Sequence, residues 1–440
     1  MNLDSLDYLD KDNLDNFDAI VIGAGIAGLA AADTLASSGQ RVAVLEARDR
    51  IGGRIFTLHP EDATAPVELG AEFVHGRPPE LLNLLRDAGA NLREVGGIDA
   101  CFQGGMLSAC PDDDAFGFLD ELAGFVEREG DMSFDAFLER RQPSPEIAER
   151  ARSFVEGFNA ADARRIGIAA LARQQQAEEE IGGFESSRSI AGYDRLPLYL
   201  AQRAEQSGAR ILLSSPVVSL HWNSGATTAA VTVKTVSGQS FSASKAIVTL
   251  PLGVLKARSV AIDPEPSRIL AAASRMESGS ARRLVLVFRS PFWKEQTPDT
   301  RFLFAPAMTP PTWWTQHPLD IPMLVGWVGG PKADALPRPE EFLSQALRSL
   351  ERIFSLAPQS LDAQLRNSSQ HDWQSDPYTL GAYSYAPAGA LDCSAAMAEP
   401  LENTLFFAGE HTDTTGHWGT VHGALRSGLR AAKHLLGTLS

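Results

Sequence analysis

The segment from Asp18 to Ser37 limits what this chain can fold into more than any other. Residues 18 to 22, Asp-Ala-Ile-Val-Ile, are a short apolar run rich in β-branched side chains, which reads as a buried parallel strand. Gly23, Gly25 and Gly28 follow at GxGxxG spacing, and Leu29 to Ser37 continue as an alanine-rich helix. The three glycines act differently. Gly23 permits the tight turn, Gly25 lets the backbone approach a pyrophosphate, and Gly28 allows the helix to pack close to the strand. The anion then rests on the helix N-terminus, where unpaired N–H groups and the helix dipole favour it.

A second strand, Arg41 to Leu45, ends in Glu46, at the distance downstream where a carboxylate receives a ribose hydroxyl. Glycines alone mark ordinary turns, but strand, glycines, helix, strand and acid in this order form a dinucleotide fingerprint. The chain continues Glu46-Ala-Arg-Asp-Arg-Ile-Gly52-Gly53-Arg54. The glycine pair exposes backbone N–H groups to a second approach by phosphate, and Arg54 adds a planar cation suited to it. A simple NAD protein of Rossmann type does not need this extra segment, so FAD is the expected cofactor.

The 440 residues, 44% of them apolar, suffice for two domains with substantial cores. A net charge of −16 repels a phosphate backbone and argues against nucleic acid as a partner. Acidity suits cationic substrates, and it equally serves a surface charged for solubility. Cys101, Cys110 and Cys393 are too few and too scattered for a disulfide framework or a thiolate metal cluster, and a reducing cytoplasm is the reading that follows. The first 16 residues carry acids where an export signal carries positive charge, and they read as a solvated tail. No apolar run approaches the length that spans a bilayer.

Val67 to Gly76 reads as a compact strand and turn. From about Pro78 to Arg188 the pattern becomes helical, as in Glu80 to Asp87, Phe116 to Glu129 and Ile147 to Phe158. Strands return at Arg210 to Leu213, Val217 to Trp222, Ala230 to Thr235 and Lys245 to Leu250. A second block, with strands at Leu284 to Phe288, Leu303 to Phe304 and Met323 to Val328 and a helix from Pro339 to Phe354, suggests a mixed sheet forming a substrate wall. Leu405 to Glu410 is again a buried strand ending at a glycine, and Thr420 to Leu436 reads as a helix with Gly423, Ala424, Gly428 and Ala431 closely spaced. Small residues there permit approach to a cofactor or tight helix packing.

Together these segments resemble the flavin-dependent amine oxidase family, which includes monoamine oxidases, polyamine oxidases and lysine-specific histone demethylases. The resemblance runs from about Phe17 to Gly437. Its most specific pieces are Gly23 to Arg54, Glu68-Leu-Gly-Ala-Glu-Phe-Val-His75-Gly76, Leu250-Pro-Leu-Gly-Val-Leu255, Gly381-Ala-Tyr-Ser-Tyr385, and Leu405-Phe-Phe-Ala-Gly-Glu-His411 with Gly419-Thr-Val-His-Gly-Ala424. It implies an α/β fold, with a Rossmann-type FAD domain assembled from residues 17–76, 190–260 and 395–440, and a mixed α+β substrate domain from 77–189 and 261–394.

By that resemblance Glu46 and Arg54 hold the adenosine and phosphate portions, with Ile26, Ala27, Ala47, Arg48 and Gly53 beside them. Val218 meets adenine through its backbone. Gly70, Ala71, Glu72 and Phe73 lie beside the flavin ring, Gly409, Glu410, Gly419, Thr420, Val421 and Ala424 follow the ribityl chain and ring, and Pro251, Trp373 and Tyr378 are further cofactor-binding positions. Tyr383 falls where the family places one wall of an aromatic cage, which guides an amine nitrogen through its electron-rich face. Outside the family context a packed core tyrosine is the simpler reading.

Three departures qualify the resemblance. Ala382 replaces the cysteine that in monoamine oxidases bonds the flavin covalently, so FAD is expected to be noncovalent. Thr420 replaces the second cage tyrosine, and His75 stands at a position shared with animal polyamine oxidases, either to handle an ammonium proton or as a structural hydrogen-bonding group. Arg283 aligns with the family lysine that holds a water near the flavin, and a guanidinium cannot simply stand in for an amine.

The resemblance implies oxidation of a small-molecule primary or polyamine-like amine by hydride transfer, giving an imine and then an aldehyde, with O2 reduced to peroxide. Catalytic roles would fall to Tyr383, Arg283, His75 and Thr420. The alternatives are a flavin enzyme acting on an amino acid or another CH–NH or CH–CH substrate, with Arg188 or Arg283 clamping a carboxylate, and a flavin-binding scaffold impaired in catalysis. No metal is required.

Overall fold

The computed structural model describes residues 16–61, 64–110, 117–183, 185–223 and 230–438. Apart from Asn16, the acidic segment read as a tail lies outside them. The strand Asn16–Ile22 sits between two parallel neighbours, Val42–Leu45 and Ser240–Val248. All four residues of Val42–Leu45 are buried, as expected for a strand covered on both faces. Arg210–Leu212 extends one side in parallel. On the other side Ser240–Val248, Val231–Thr235 and Val217–Trp222 form an antiparallel ribbon, closed by Ala261–Asp263. Leu405–Phe407 pairs in parallel with the end of Ser240–Val248, which brings the last part of the chain against the first.

The helix Ile26–Ser37 is buried almost all round because its alanines let neighbours approach from several sides. The C-terminal helix Val421–Leu436 packs beside it. A β-carbon on Gly428 would fall 2.1 Å from the Ala27 carbonyl oxygen, so the small residues of this helix serve close helix contact. Thr420 caps its N-terminus, and Gly437 ends it in the left-handed conformation.

A second sheet carries the order Leu365–His371, Ala281–Phe288, Met323–Gly329, Thr312–Thr315, Thr300–Phe304, Ile98–Gln103, Met106–Ala109. Its pairings are antiparallel except where Thr300–Phe304 meets Ile98–Gln103. The helix Pro339–Ile353 buries Phe342, Ala346, Leu347 and Leu350, the inward stripe of its 3.6-residue period.

Two expectations are corrected. Residues 78 to 188 are not purely helical, because Leu92–Glu94, Ile98–Gln103, Met106–Ala109 and Ser186–Ser189 are strands. Ile98–Gln103 turns Ala100 and Phe102 inward and lies between a hairpin partner, Met106–Ala109, and Thr300–Phe304 some two hundred residues onward. Cys101 and Cys110 are joined in a disulfide across the hairpin formed by this strand and Met106–Ala109, and Cys393 alone is free. Two adjacent strands bring these cysteines together, and their pairing removes the ground for inferring a reducing compartment. Among the described residues no helix is long and apolar enough to cross a membrane.

Candidate active site

The first strand delivers the chain into Gly23, whose φ of +103° is open only to glycine at low cost. A β-carbon on Gly28 would fall 1.9 Å from the Gly23 carbonyl oxygen, so only a hydrogen lets the helix start this close to the strand. No side chain caps that helix at Gly25. Its first N–H groups therefore have no side-chain acceptor, which suits an anion. The second glycine turn is fastened to the first: Gly52 donates its N–H to the Ala24 carbonyl at 2.9 Å and bridges Gly25.

One cavity of about 2350 Å³ opens along these turns. Ordinary ligand pockets hold about 300–1,000 Å³, so this one has space for an extended dinucleotide and for a substrate beyond it. Every residue that the sequence assigns to cofactor or amine chemistry lines it except Gly28, and Arg188, the alternative carboxylate clamp, does not line it. Gly28 acts through packing.

At the dinucleotide end the charges are already partnered. Glu46 accepts the Ala24 N–H at 2.7 Å and the Arg48 N–H at 2.9 Å, which fixes its carboxylate beside the turn. Arg48 forks onto Asp376 at 2.7 and 2.8 Å and lies over the Tyr378 ring. Burial opposes the charge on Asp376, but His371 and Arg48 outweigh it and hold the carboxyl well below its usual range. Arg54, expected to face phosphate, donates to Glu410 and to the Ala382 carbonyl, both at 2.8 Å. Glu410 also accepts the Ser384 hydroxyl at 2.6 Å and the Gly419 N–H at 2.9 Å. Burial pushes its pKa up, yet Arg54, His411 and these hydrogen bonds prevail and keep it below the ordinary value.

At the other end Tyr383 donates its hydroxyl to the Phe158 carbonyl at 2.6 Å, which fixes the ring. Burial raises that phenol far above its usual pKa. Gly419 lies against the ring, since a β-carbon there would stand 2.8 Å from it. His75 meets the Ser186 hydroxyl at 3.4 Å and the edge of Phe158, and burial lowers its pKa to about 4. It is therefore neutral at physiological pH and a weak base. The Thr420 hydroxyl accepts from the Gly423 N–H at 3.0 Å and donates to the His417 carbonyl at 2.7 Å, so it works as a helix cap. Arg283 donates to the Gly70 carbonyl at 2.9 Å and pairs with Glu72, while lying over Trp314. Burial opposes ionisation of Glu72, but Arg283 and Arg188 hold its carboxyl below the ordinary value.

Several contributors escaped the sequence. Ser384 is visible only as the neighbour of Tyr383 in the Gly381 to Tyr385 motif, and Asp376 only as an acid two places before Tyr378. Arg50 donates to the Gly53 carbonyl at 3.0 Å and so shapes the second glycine turn. Phe158 and Trp327 complete the apolar wall, and both come from segments with no recognisable motif. An uncapped helix start, two stacked glycine turns and a long cavity fit an extended flavin dinucleotide better than a mononucleotide.

A family model described as flavin-containing amine oxidoreductase matches residues 26–180 and 116–436. The chain is 30% identical over 448 residues to "Lysine-specific histone demethylase 1 homolog 2" of Arabidopsis thaliana, an alignment covering 95% of this chain and 58% of that protein. It thus spans somewhat more than half of that relative. It is also 30% identical over 453 residues to "Polyamine oxidase 4" of Oryza sativa subsp. japonica, covering 94% of this chain and 87% of the other. Among solved structures, putrescine oxidase bound to putrescine superposes with a TM-score of 0.82 at 23% identity, over 96% of this chain and 99% of the other. Cyclohexylamine oxidase from Brevibacterium oxydans IH-35A gives 0.81 at 22%, with the same coverages. At such identities these two likenesses speak for the fold.

Proposed function

This chain belongs to the flavin-containing amine oxidoreductase family, and from that premise we propose that it is an FAD-dependent oxidase of small amines. The observation that carries the reading is that glycine turns from the start of the chain, the strand end at Gly409 and the helix start at Thr420 line one cavity with Tyr383, His75 and Arg283. The division into an FAD-binding part (17–76, 190–260, 395–440) and a substrate part (77–189, 261–394) belongs to the same proposal.

The Ile26–Ser37 helix start and the Gly52–Gly53 turn would hold the pyrophosphate, Glu46 the ribose, and Val218 the adenine. Gly70 to Phe73 would flank the ring, and Gly409, Glu410, Gly419, Thr420 and Val421 would follow the ribityl chain and ring. Ala382 offers no thiol, which makes the attachment noncovalent. Bound FAD supplies the acceptor for the hydride that leaves the amine α-carbon.

The protein's part is to orient the amine and exclude water. The fixed face of Tyr383 meets the nitrogen, and Phe158 and Trp327 keep that end apolar. His75, neutral and weakly basic, does not take a proton from an ammonium whose pKa is far higher, so the amine enters already neutral. Once hydride has gone, the product is an iminium, which water hydrolyses to an aldehyde and an amine or ammonia that carries away the proton as its ammonium form. O2 takes the two electrons with two protons and becomes peroxide. Arg283 keeps a fixed positive charge at the cavity wall, where negative charge is to be received.

The amino-acid alternative is less favoured, because Arg283 is engaged by Gly70 and Glu72, and Arg188, paired with the same Glu72, does not line the cavity. The test is anaerobic mixing of the yellow protein with primary amines, secondary amines and polyamines. Bleaching with aldehyde formation is expected, and peroxide on admitting air; a flavin that stays yellow with the whole set overturns the reading and favours a scaffold.

A further inference from the structure

The end of the helix Ile168–Glu180 meets the start of the helix Val421–Leu436 at three residues the amine chemistry does not use: Glu178, His417 and His422. One ligand atom from each lies within 4.8 Å of the other two. Their relative exposures are 8%, 2% and 2%, and Glu178 and His422 border the large cavity. Both carboxylate oxygens of Glu178 and the Nε2 of His422 have no hydrogen-bond partner among the described residues. A buried carboxylate without donors carries a desolvation cost that sequences remove unless something else relieves it.

We propose that Glu178, His417 and His422 form a site for a divalent transition metal ion of the Zn²⁺ type. Two imidazoles and one carboxylate are a donor set that zinc prefers, with a fourth position left open. Metal–ligand distances of about 2.0–2.2 Å require the three groups to draw together by about 1 Å. Glu178 and His422 are free to do so. His417 has to exchange a partner, since one ring nitrogen faces the Ala177 carbonyl at 3.1 Å and the other meets Thr415 and Arg426 at 2.9 and 2.8 Å. Arg426 keeps its ion pair with Glu80 when that exchange occurs.

A substrate ammonium is a poorer occupant. The Glu178 oxygens are sealed from solvent, and Gly183 lies so close that a β-carbon there would overlap the carboxylate at 2.0 Å. A bare ion fits where an alkylammonium does not. The ion would tie the helix ending at Glu180 to the helix that starts beside Thr420, and so fix one wall of the cavity.

The test uses the flavin-loaded protein, stripped with a chelator and dialysed against buffered Zn²⁺, with bound metal measured. About one zinc per chain is expected, and Glu178→Gln and His422→Gln should each weaken binding about tenfold or more, since even outer-shell losses cost that much. Zinc should raise Tm in the unmutated protein and not in either variant that retains flavin. Equal zinc binding by all three overturns the proposal, as does its absence in the unmutated protein, which would mean that a proton relieves Glu178. Co²⁺ in the unmutated protein needs no variant: ligand-field bands at wavelengths beyond the flavin absorption support the site, and their absence overturns it. None of these readouts depends on amine turnover.

Discussion

Arg54 donates to Glu410 at 2.8 Å, joining positions 356 residues apart. The pair ties the second glycine turn to the end of the Leu405–Phe407 strand, and the Glu410 side chain is 5% exposed against 27% for Arg54. The two ends of the chain are thereby locked around one cavity.

Removing the arginine leaves a buried carboxylate with fewer donors. Arg54→Ala should destabilise the protein by about 3 kcal/mol in urea unfolding and release flavin, with Glu410→Gln milder because no uncompensated charge remains. The Glu410 carboxyl is held below its ordinary value of 4.5, so its stabilisation is complete above 4.5 and is lost as pH falls through the lower folded value. The gap between Arg54→Ala and the parent should accordingly be full at neutral pH and shrink in acid. A gap constant down to strong acid would show that the pair does not set it.

Because His75 titrates near 4, it does not set the pH dependence of turnover. kcat/KM should rise through the neutral-to-alkaline range with the pKa of the amine itself, and should move when amines of different basicity are compared. His75→Asn should change the rate while leaving the position of that rise unchanged. A shift in the variant would make His75 the titrating base.

Thr420 acts through the helix it caps. Thr420→Ala should cost about 1 kcal/mol in unfolding experiments, and Thr420→Ser should restore most of it. A loss of turnover in the alanine variant beyond what its lost flavin explains would return a direct role to the hydroxyl.

The Gly428 contact with the Ala27 carbonyl is backbone against backbone, so a methyl group cannot be accommodated by a rotamer change. Gly428→Ala should destabilise by about 2 kcal/mol through overpacking and should weaken flavin retention, because the displaced helix is the one whose N-terminus faces the cavity. Near-native stability would mean that the two helices separate more easily than their packing implies.

The glycine fingerprint was legible because its physics is local: strand, turn and helix succeed one another within about twenty residues, and each glycine answers a steric demand of its neighbours. Tyr383, His75 and Arg283 were legible through motifs that the chain shares with its family. Their states were not. Neutral His75, the Thr420 cap and the Arg283–Glu72 pair depend on burial and on partners from distant segments.

The sequence by itself determined that the chain opens with a parallel strand and an anion-accepting helix start, because short-range sterics and hydrophobic period decide those elements. Only the tertiary structure decided that Ile98–Gln103 is a strand, that Cys101 and Cys110 join, that Arg54 turns to Glu410, and that Glu178 meets two histidines. Apart from the disulfide, which spans nine residues across a local hairpin, each of these depends on where residues far apart along the chain come to rest, and on how much water remains between them once they do.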